Sequence, residues 1–436
     1  MKIFLDVIGC RLNQSEIETY ANQFRAFGHQ IVSEPGEADI AIVNTCTVTV
    51  KAAADSRKQL RRASRAGVPM VVATGCWATL EPEAAKDLTG KTKVFLNSQK
   101  DQLIAELLNK SPDEISEKTL VRQPIPGVRG RTRAFIKVQE GCDNRCTYCL
   151  TRYARGPARS VNLNSIHRDI QAAVDGGAME IVLTGVQLGA WGRDLPRKLG
   201  LKDLLSDVLA KQPVHRVRLS SIEPWDFDLS MLSLWQDGRM CRQLHIPLQS
   251  GSDRILKRMG RPITIGAYQQ LIKEVRNAIP GLAITTDVIA GFPGEEQDDH
   301  QATQQLIEKI GFAGGHVFTF SPRPGTGAYE MDGTVPNKIA KARNAELRGV
   351  FDQTSKAFRN TLIGQQVEVL WETSCLKSNE EWQLSGLTET YVRVNAVHSK
   401  NIWNRISTVK VSRHDKSQSF LWGKVISSNP KRFIFQ

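Results

Sequence analysis

Three of the eight cysteines in this 436-residue chain crowd into eight positions, Cys142-Asp-Asn-Arg-Cys146-Thr-Tyr-Cys149. With no export signal ahead of them, thiols at such spacing read as metal ligands or catalytic groups rather than as halves of disulfides. A zinc site usually takes four ligands, commonly as two separated pairs, and neither a second pair nor a nearby His completes this set. Three thiolates suit an iron–sulfur cubane better, because each binds one iron and the fourth iron stays open to an external ligand.

A second triplet is dispersed along the first hundred residues. FLDVIG-Cys10, IAIVNT-Cys46 and VVATG-Cys76 each place a thiol just after a segment with parallel-strand character. Neighbouring strands lie ~4.8 Å apart, so three such loops can bring their thiols together at the crevice where parallel sheets bind ligands. Taken singly each Cys would be an inert small hydrophobe, but three at equivalent strand ends predict a second three-thiolate cluster. Cys241 and Cys375 belong to neither triplet and read as packing residues.

The elements that must hold these groups fall into three blocks. Residues 1–110 alternate strand and helix as KIFLDVI, a helix from Ser15 to Phe27, ADIAIVN, a basic helix from Val50 to Arg65, and PMVVAT. That order predicts a small parallel α/β sheet domain. Residues 111–133, with Pro112, Pro124, Pro126, Gly127 and Gly130, read as a linker. From Ala134 six strand candidates follow, AFIKVQ, EIVLT, HRVRLS, QLHIPL, AITTDVIA and HVFTF, each except the last separated from the next by a helical stretch. This run predicts a partial TIM-type (β/α)6 barrel over 134–363, with the Cys142 loop at the carboxyl-end mouth where barrel active sites lie. A long helix from Pro336 to Leu362 leads into QVEVLWE, EWQLSGL, YVRVNAV, STVKVSR and FLWGKVI, five short strands that predict a small closed β-barrel over 364–436.

No apolar run approaches the roughly 18 residues of a membrane span, and MKIFLDVIGCRLNQSE reads as a first strand rather than a signal peptide, which places the chain in the cytoplasm. Lys plus Arg (58) exceed Asp plus Glu (45) by 13, a balance suited to RNA, DNA or an anionic membrane surface. No Ser-His-Asp set, phosphate-cradling loop or acid pair stands out, so the difficult chemistry falls to cofactors.

The CxxxCxxC run on a first barrel loop resembles the radical S-adenosylmethionine superfamily. Together with GCRLNQSE, NTCTVTVKAA, TGC, ARGPARS, LTGVQLG, LSSIEP, LHIPLQSGSDRILKRMGR and DVIAGFPGE, it makes the chain similar over nearly its whole length to the methylthiotransferases. The resemblance implies two 4Fe-4S clusters, a radical one on Cys142, Cys146 and Cys149 and an auxiliary one on Cys10, Cys46 and Cys76. In that family one S-adenosylmethionine methylates a sulfide on the auxiliary cluster and a second supplies a 5′-deoxyadenosyl radical. It also implies an electron donor such as flavodoxin or ferredoxin. Thr184 and Gly185 would meet the methionine end of the cofactor, and Ser220, Ser221, Glu223, Gln249, Ser250, Asp287 and Phe292 would complete its pocket. Gly291, Pro293 and Gly294 read equally as turn residues, and His245 reads equally as a hydrogen-bonded interior residue.

The terminal block from Gly364 holds ten Lys or Arg against six Asp or Glu, with Trp371, Trp382, Tyr391, Trp403, Phe420 and Trp422 interleaved. Basic β-barrels with exposed aromatics hold RNA through phosphate contacts and stacking, although several of these rings must also fill the barrel's own core. GLTETYVRV resembles the TRAM module of RNA-modifying enzymes. Arg57, Lys58, Arg61, Arg62 and Arg65 extend the basic track or simply form a solvated face. The partner implied is the anticodon loop of tRNA, whose target base turns out of its stack.

Three branches of the family differ in substrate: N6-isopentenyladenosine in tRNA, N6-threonylcarbamoyladenosine in tRNA, and an aspartate of a small-subunit ribosomal protein. NTCTVTVKAA and ARGPARS resemble the threonylcarbamoyladenosine branch most, while YARG departs from it where Trp often precedes Ala-Arg-Gly. Arg152, Arg155 and Arg159 are the nearest candidates in sequence for the substrate carboxylate, and they suit phosphate equally. A non-catalytic RNA-binding protein with structural clusters is the reading from another class.

Overall fold

The computed structural model describes residues 1–117, 122–123, 132–377, 380–415, 417 and 419–427. Its first unit comprises β1 (Lys2–Val7), α1 (Arg11–Ala26), β2 (Gln30–Val32), β3 (Ile40–Thr45), α2 (Val50–Arg65), β4 (Met70–Gly75), α3 (Cys76–Leu80), α4 (Pro82–Asp87), β5 (Thr92–Val94) and α5 (Lys100–Leu108). All five strands are parallel, in the order β2-β1-β3-β4-β5. The continuous apolar run of β3 is buried on both faces, as a central parallel strand requires. Ile17, Phe24 and Leu103 cover one face, and Leu60, Ala63 and Ala85 the other. The short edge strands β2 and β5 have no pattern of their own long enough to register in the sequence.

The order has a consequence for the cysteines. The chain leaves β1 toward one edge and β3 toward the other, so the switch point lies between them, and the loops after β1, β3 and β4 open side by side. Cys10 and Cys46 lie on the first two of these connections, and Cys76 opens α3 directly after β4.

Within the expected linker, Pro112–Glu117 forms a short helix, α6. Ser111 and Glu114 cap it reciprocally, Glu114 N–H donating to Ser111 Oγ at 3.2 Å and Ser111 N–H to Glu114 Oε2 at 2.9 Å. Pro at the first helical position is compatible with such a start. Pro124, Pro126, Gly127 and Gly130 lie outside the described residues.

The second unit contains β6 (Arg133–Lys137), β7 (Gln139–Glu140), α7 (Thr151–Arg155), β8 (Arg159–Ser160), α8 (Leu163–Asp175), β9 (Glu180–Thr184), α9 (Leu201–Lys211), β10 (Val217–Leu219), β11 (Gln243–His245), α10 (Asp253–Arg258), α11 (Ile265–Ala278), β12 (Ala283–Ala290), α12 (Gln297–Ile310), β13 (Gly314–Thr319) and α13 (Asn337–Asn360). Two three-stranded parallel sheets, β10-β9-β6 and β11-β12-β13, meet through the Ser221–His245 bridge to form an open six-stranded barrel. Alternation sorts the faces. Ala134, Ile136, Ile181, Leu183, Val217, Leu219, Ile284 and Val288 point outward to the helices. Their neighbours Arg133, Lys137, Glu180, Thr184, Arg218, His245 and Asp287 therefore face the lumen. At the free edge of β6, Lys137 N–H donates to Ser15 Oγ of α1 at 3.1 Å, which fastens the first unit along the barrel. The crossover from β10 to β11 lacks the expected α-helix and uses 3-10 turns over Pro224–Asp226 and Leu229–Gln236. There Asp228 accepts from Ser230 N–H and fixes the tighter turn.

The third unit is a closed barrel of β14 (Gln366–Leu376), β15 (Trp382–Thr388), β16 (Arg393–His398), β17 (Ile406–His414) and β18 (Leu421–Ser427). Trp371 is its core, fully buried with its indole N–H on Ser407 Oγ at 3.0 Å. Closure removes sheet edges, which suits so short a β domain. This barrel is docked on the second unit: Arg216 and Arg218 donate to the backbone carbonyls of Glu368, Leu387, Thr388 and Glu389.

Candidate functional site

The loop after β6 is shaped by Gly141, whose φ is +73° and whose Cβ, if present, would lie 1.8 Å from Pro157 O. Glycine alone fits there. The loop then carries Cys142, Cys146 and Cys149, with Cys142 N–H bonded to Gly156 O at 3.1 Å and Cys149 N–H to Cys146 O at 3.1 Å. Thr147 pins its outer side, accepting from Ala328 N–H at 2.8 Å and donating through Oγ1 to Arg258 O at 2.9 Å. Tyr148 packs edge-on against Phe292, ring centroids 6.3 Å apart.

Burial pushes the Cys142 thiol up to about 12 and the Cys146 thiol up to about 11, with the neighbouring thiolates adding to both. In the first unit burial likewise pushes Cys46 up to about 11, and Cys76 and Cys10 add to the rise. Each triplet is thus close enough for mutual repulsion of thiolates, a repulsion that a cationic iron core offsets. Among the described residues no three His, Cys, Asp or Glu side chains converge on a single-ion site. A cubane takes one thiolate per iron and leaves its fourth iron open, and three thiolates per triplet match that donor set.

Support around the dispersed triplet is dense. Gly9, at φ +103°, leaves room for Cys46, whose Sγ would lie 2.5 Å from a Cβ there. Asn13 Nδ2 donates to Ile8 O at 2.8 Å and Thr45 O at 3.1 Å, while its Oδ1 lies 3.8 Å from Cys10 Sγ. Asn97 Nδ2 lies 3.9 Å from Cys76 Sγ and donates to Ala154 O at 2.6 Å. Asn13 and Asn97 did not stand out in the sequence; only their nearness to a Cys-bearing strand end could have suggested them.

Arg155 ties the two triplets' loops together. Its guanidinium is buried between Glu16 at 3.0 Å, Glu140 at 2.8 Å and Asn13 Oδ1 at 2.5 Å. Burial would raise the Glu16 carboxyl, but Arg155, Lys100 and Lys137 hold it well below the usual carboxylate range. Two carboxylates therefore occupy Arg155, whereas Arg152 and Arg159 remain exposed.

Just past the end of β10 and midway along β12, Ser220 Oγ and Asp287 Oδ1 are buried without a hydrogen-bond partner. Orphaned polar atoms of that kind are rare and suit a ligand bearing polar groups. The other carboxylate oxygen of Asp287 faces His245 Nε2 at 3.3 Å. Gln249, at φ +71°, is held by Asp287 O and Ile289 N–H. Thr184 is buried at the end of β9, and Gly185 presses on Gln139, which a Cβ would approach to 2.9 Å. Glu223 pairs with Arg261 at 2.7 Å, and the Arg261 guanidinium lies 4.6 Å from the Trp225 ring. Ser250 Oγ accepts from Ser252 N–H, Ser221 is exposed, and Phe292 is fully buried among Ile255, Met259 and Ala328. Phe292 thus braces the cysteine loop from behind, through Tyr148.

Among the described residues of the terminal barrel Trp403 is the exposed ring, and Phe420 and Trp422 form a tilted pair with centroids 6.2 Å apart. Trp382 packs partly against the core. Tyr391 turns instead toward the second unit. Of the basic helix, Arg57 lies over the Trp77 ring and Arg62 pairs with Glu34 at 3.1 Å. Among the described residues no helix is long and apolar enough to cross a membrane.

Residues 2–97 match the family described as Uncharacterized protein family UPF0004, and residues 136–307 match the Radical SAM superfamily. A threonylcarbamoyladenosine tRNA methylthiotransferase of Thermotoga maritima is 38% identical over 89% of this chain and 90% of its own length. The protein of that description from Bacillus subtilis is 31% identical over 93% and 92%. A tRNA-2-methylthio-N(6)-dimethylallyladenosine synthase of Moorella thermoacetica is 31% identical over 93% and 94%. In fold, a radical S-adenosylmethionine methyltransferase of Kitasatospora setae, solved with tryptophan and a cofactor analogue, superposes with a TM-score of 0.57 at 15% identity, over 75% of each chain.

Proposed function

The chain belongs to the tRNA methylthiotransferase family, and from that premise we propose that it converts N6-threonylcarbamoyladenosine, at the nucleotide following the anticodon, to its 2-methylthio derivative. The observation that carries the reading is the gathering of two cysteine triplets at strand ends joined by Arg155. Cys142, Cys146 and Cys149 would hold the radical 4Fe-4S cluster, and Cys10, Cys46 and Cys76 the auxiliary one. When bound, the clusters and S-adenosylmethionine supply the carbon-centred radical and the sulfur.

This chain's own residues position and enclose. Ser220 Oγ and Asp287 Oδ1 offer the cofactor a donor and an acceptor, and Thr184, Gly185 and Gln249 line the same mouth. Arg261 holds Glu223 in place at that mouth. Arg155 and Glu16 join the two cysteine-bearing segments through a buried ion pair, which would keep the two clusters in register when bound. The terminal barrel offers Trp403 and a basic surface to the anticodon loop. A low-potential donor such as flavodoxin or ferredoxin would deliver the electron, and the cytoplasm is where such partners meet.

The test incubates reconstituted enzyme, reductant and S-adenosylmethionine with tRNA bearing either modification, and measures methylthio nucleosides by mass. Product from threonylcarbamoyladenosine tRNA is expected. Product from isopentenyladenosine tRNA alone would move the chain to that branch, and product from neither would reopen the ribosomal-protein substrate.

A further inference from the structure

Cations around the barrel lumen are almost all neutralised. Arg133, Lys137, Arg155, Arg218 and Arg261 each have a carboxylate oxygen within 3.4 Å. Among the described residues Arg11 meets none, and neither does Arg323 just beyond β13, whose Nη2 is buried without a hydrogen-bond partner. Arg11 follows Cys10 directly, opens α1, and sends its guanidinium away from its own unit to Tyr391 of the terminal barrel, with Nη2 3.1 Å from the hydroxyl. The Tyr391 ring is shared: the guanidinium carbons of Arg11, Arg133 and Arg218 lie 5.6, 5.6 and 5.0 Å from its centroid. Arg133 and Arg218 are held by Glu372 and Glu180, so the free charge of this cluster is that of Arg11. Its position is over-determined, since Tyr391 sits at φ +65° in the turn between β15 and β16, with its N–H bonded to Thr388 O at 3.0 Å.

We infer that Arg11 is the specificity residue that receives the carboxylate of the threonylcarbamoyl group, with Tyr391 as the positioning residue that aims it. The inference rests on the substrate reading above and deepens it. Adenine's C2, which takes the sulfur, and C6, whose amino nitrogen carries the substituent, flank the same ring nitrogen. A base that presents C2 to the auxiliary cluster therefore presents its substituent to the wall beside Cys10, where Arg11 begins. An unpaired guanidinium can engage a carboxylate through two parallel N–H···O bonds. An isopentenyl group would leave that charge without a partner, so the same residue disfavours the apolar substrate. Arg155, the candidate suggested by sequence proximity, cannot do this without giving up Glu16 and Glu140.

The test uses the reconstituted full chain and two anticodon stem-loop RNAs, one bearing threonylcarbamoyladenosine and one in which its carboxylate is a primary amide. Affinity is read by fluorescence anisotropy without S-adenosylmethionine, and product by mass with it. Wild type should prefer the carboxylate RNA by on the order of 10- to 100-fold, the loss expected when one charged hydrogen-bonding pair is removed. In Arg11→Gln that preference should collapse to near unity, and Arg11→Lys should restore part of it. Iron content and the paramagnetic resonance spectra of both clusters check that the variants are loaded and folded. Arg11→Gln keeping the wild-type preference would overturn the inference. So would equal weakening toward both RNAs, which would make Arg11 a phosphate-binding residue. Wild type that modifies the carboxylate RNA but does not prefer it overturns this inference alone, whereas wild type that modifies no threonylcarbamoyladenosine RNA overturns the substrate reading with it.

Discussion

Arg155 Nη1 lies 3.0 Å from Glu16 Oε1, so helix α7, which follows Cys142, Cys146 and Cys149, is bonded to α1, which follows Cys10. Both side chains are almost completely buried, and an ion pair in such a place contributes chiefly to specificity of arrangement, since desolvation offsets much of its attraction. Breaking one partner leaves the other charged and unpaired. Arg155→Met should therefore lower stability by roughly 3–5 kcal/mol and reduce iron in the auxiliary site, measured by calorimetry and iron per chain. Arg155→Lys should recover little, because an ammonium lacks the fork that spans Glu16, Glu140 and Asn13.

Anaerobically reconstituted protein should contain about eight irons, and replacing Cys142, Cys146 and Cys149 with Ala should leave about four. Retention of all the iron by that variant, or stoichiometric zinc in the wild type, would contradict the two-cluster assignment.

The two glycines that make room for the thiols give a selective pair of lesions. Gly9→Ala puts a methyl against Cys46 Sγ, and Gly141→Ala drives one into Pro157 O, both at positive φ. Each carries roughly 1–3 kcal/mol of backbone strain besides the clash. Gly9→Ala should deplete the auxiliary signal and Gly141→Ala the radical-cluster signal in paramagnetic resonance. Loss of the same signal from both variants would count against separate sites.

Glu180 sets an acid limit. Burial alone would raise its carboxyl, but pairing with Arg218, helped by Arg133 and Arg216, holds it down at about 2. A depressed folded-state pKa contributes stability that is fully present above the unfolded value near 4.5 and is lost as pH falls toward 2. The melting temperature of wild type should drop across that window, while Glu180→Gln, already destabilised by an unpaired Arg218, should show a flatter profile there.

Removing the whole terminal barrel would strip Arg133, Arg216 and Arg218 of partners, so RNA binding is better tested at its surface. Lys410 and Lys424 are exposed and face each other across β17 and β18. Changing both to Ala should weaken tRNA binding and reduce its salt slope by about two, one for each phosphate left without its lysine. An unchanged slope would place the RNA elsewhere.

Residue types and spacing alone pointed to the chemistry: CxxxCxxC is local, three Cys after three strand-like runs is nearly so, and alternation of strand and helix announces a parallel sheet and barrel. Local pattern suffices there because each signal lies within one element and its following loop. Tertiary structure decided how the elements face one another. Arg155, beside Cys142, Cys146 and Cys149 in sequence, is neutralised by Glu16, 139 residues away. Arg11, with no such mark, is aimed by Tyr391, 380 residues away. Phe292, on the turn after β12, became a brace through its contacts with Ile255 and Met259, and Trp371 a core residue because its face of β14 was committed to packing. Whether a guanidinium is free or paired depends on the sum of charges brought near it by folding, and that sum is not written in any single stretch of chain.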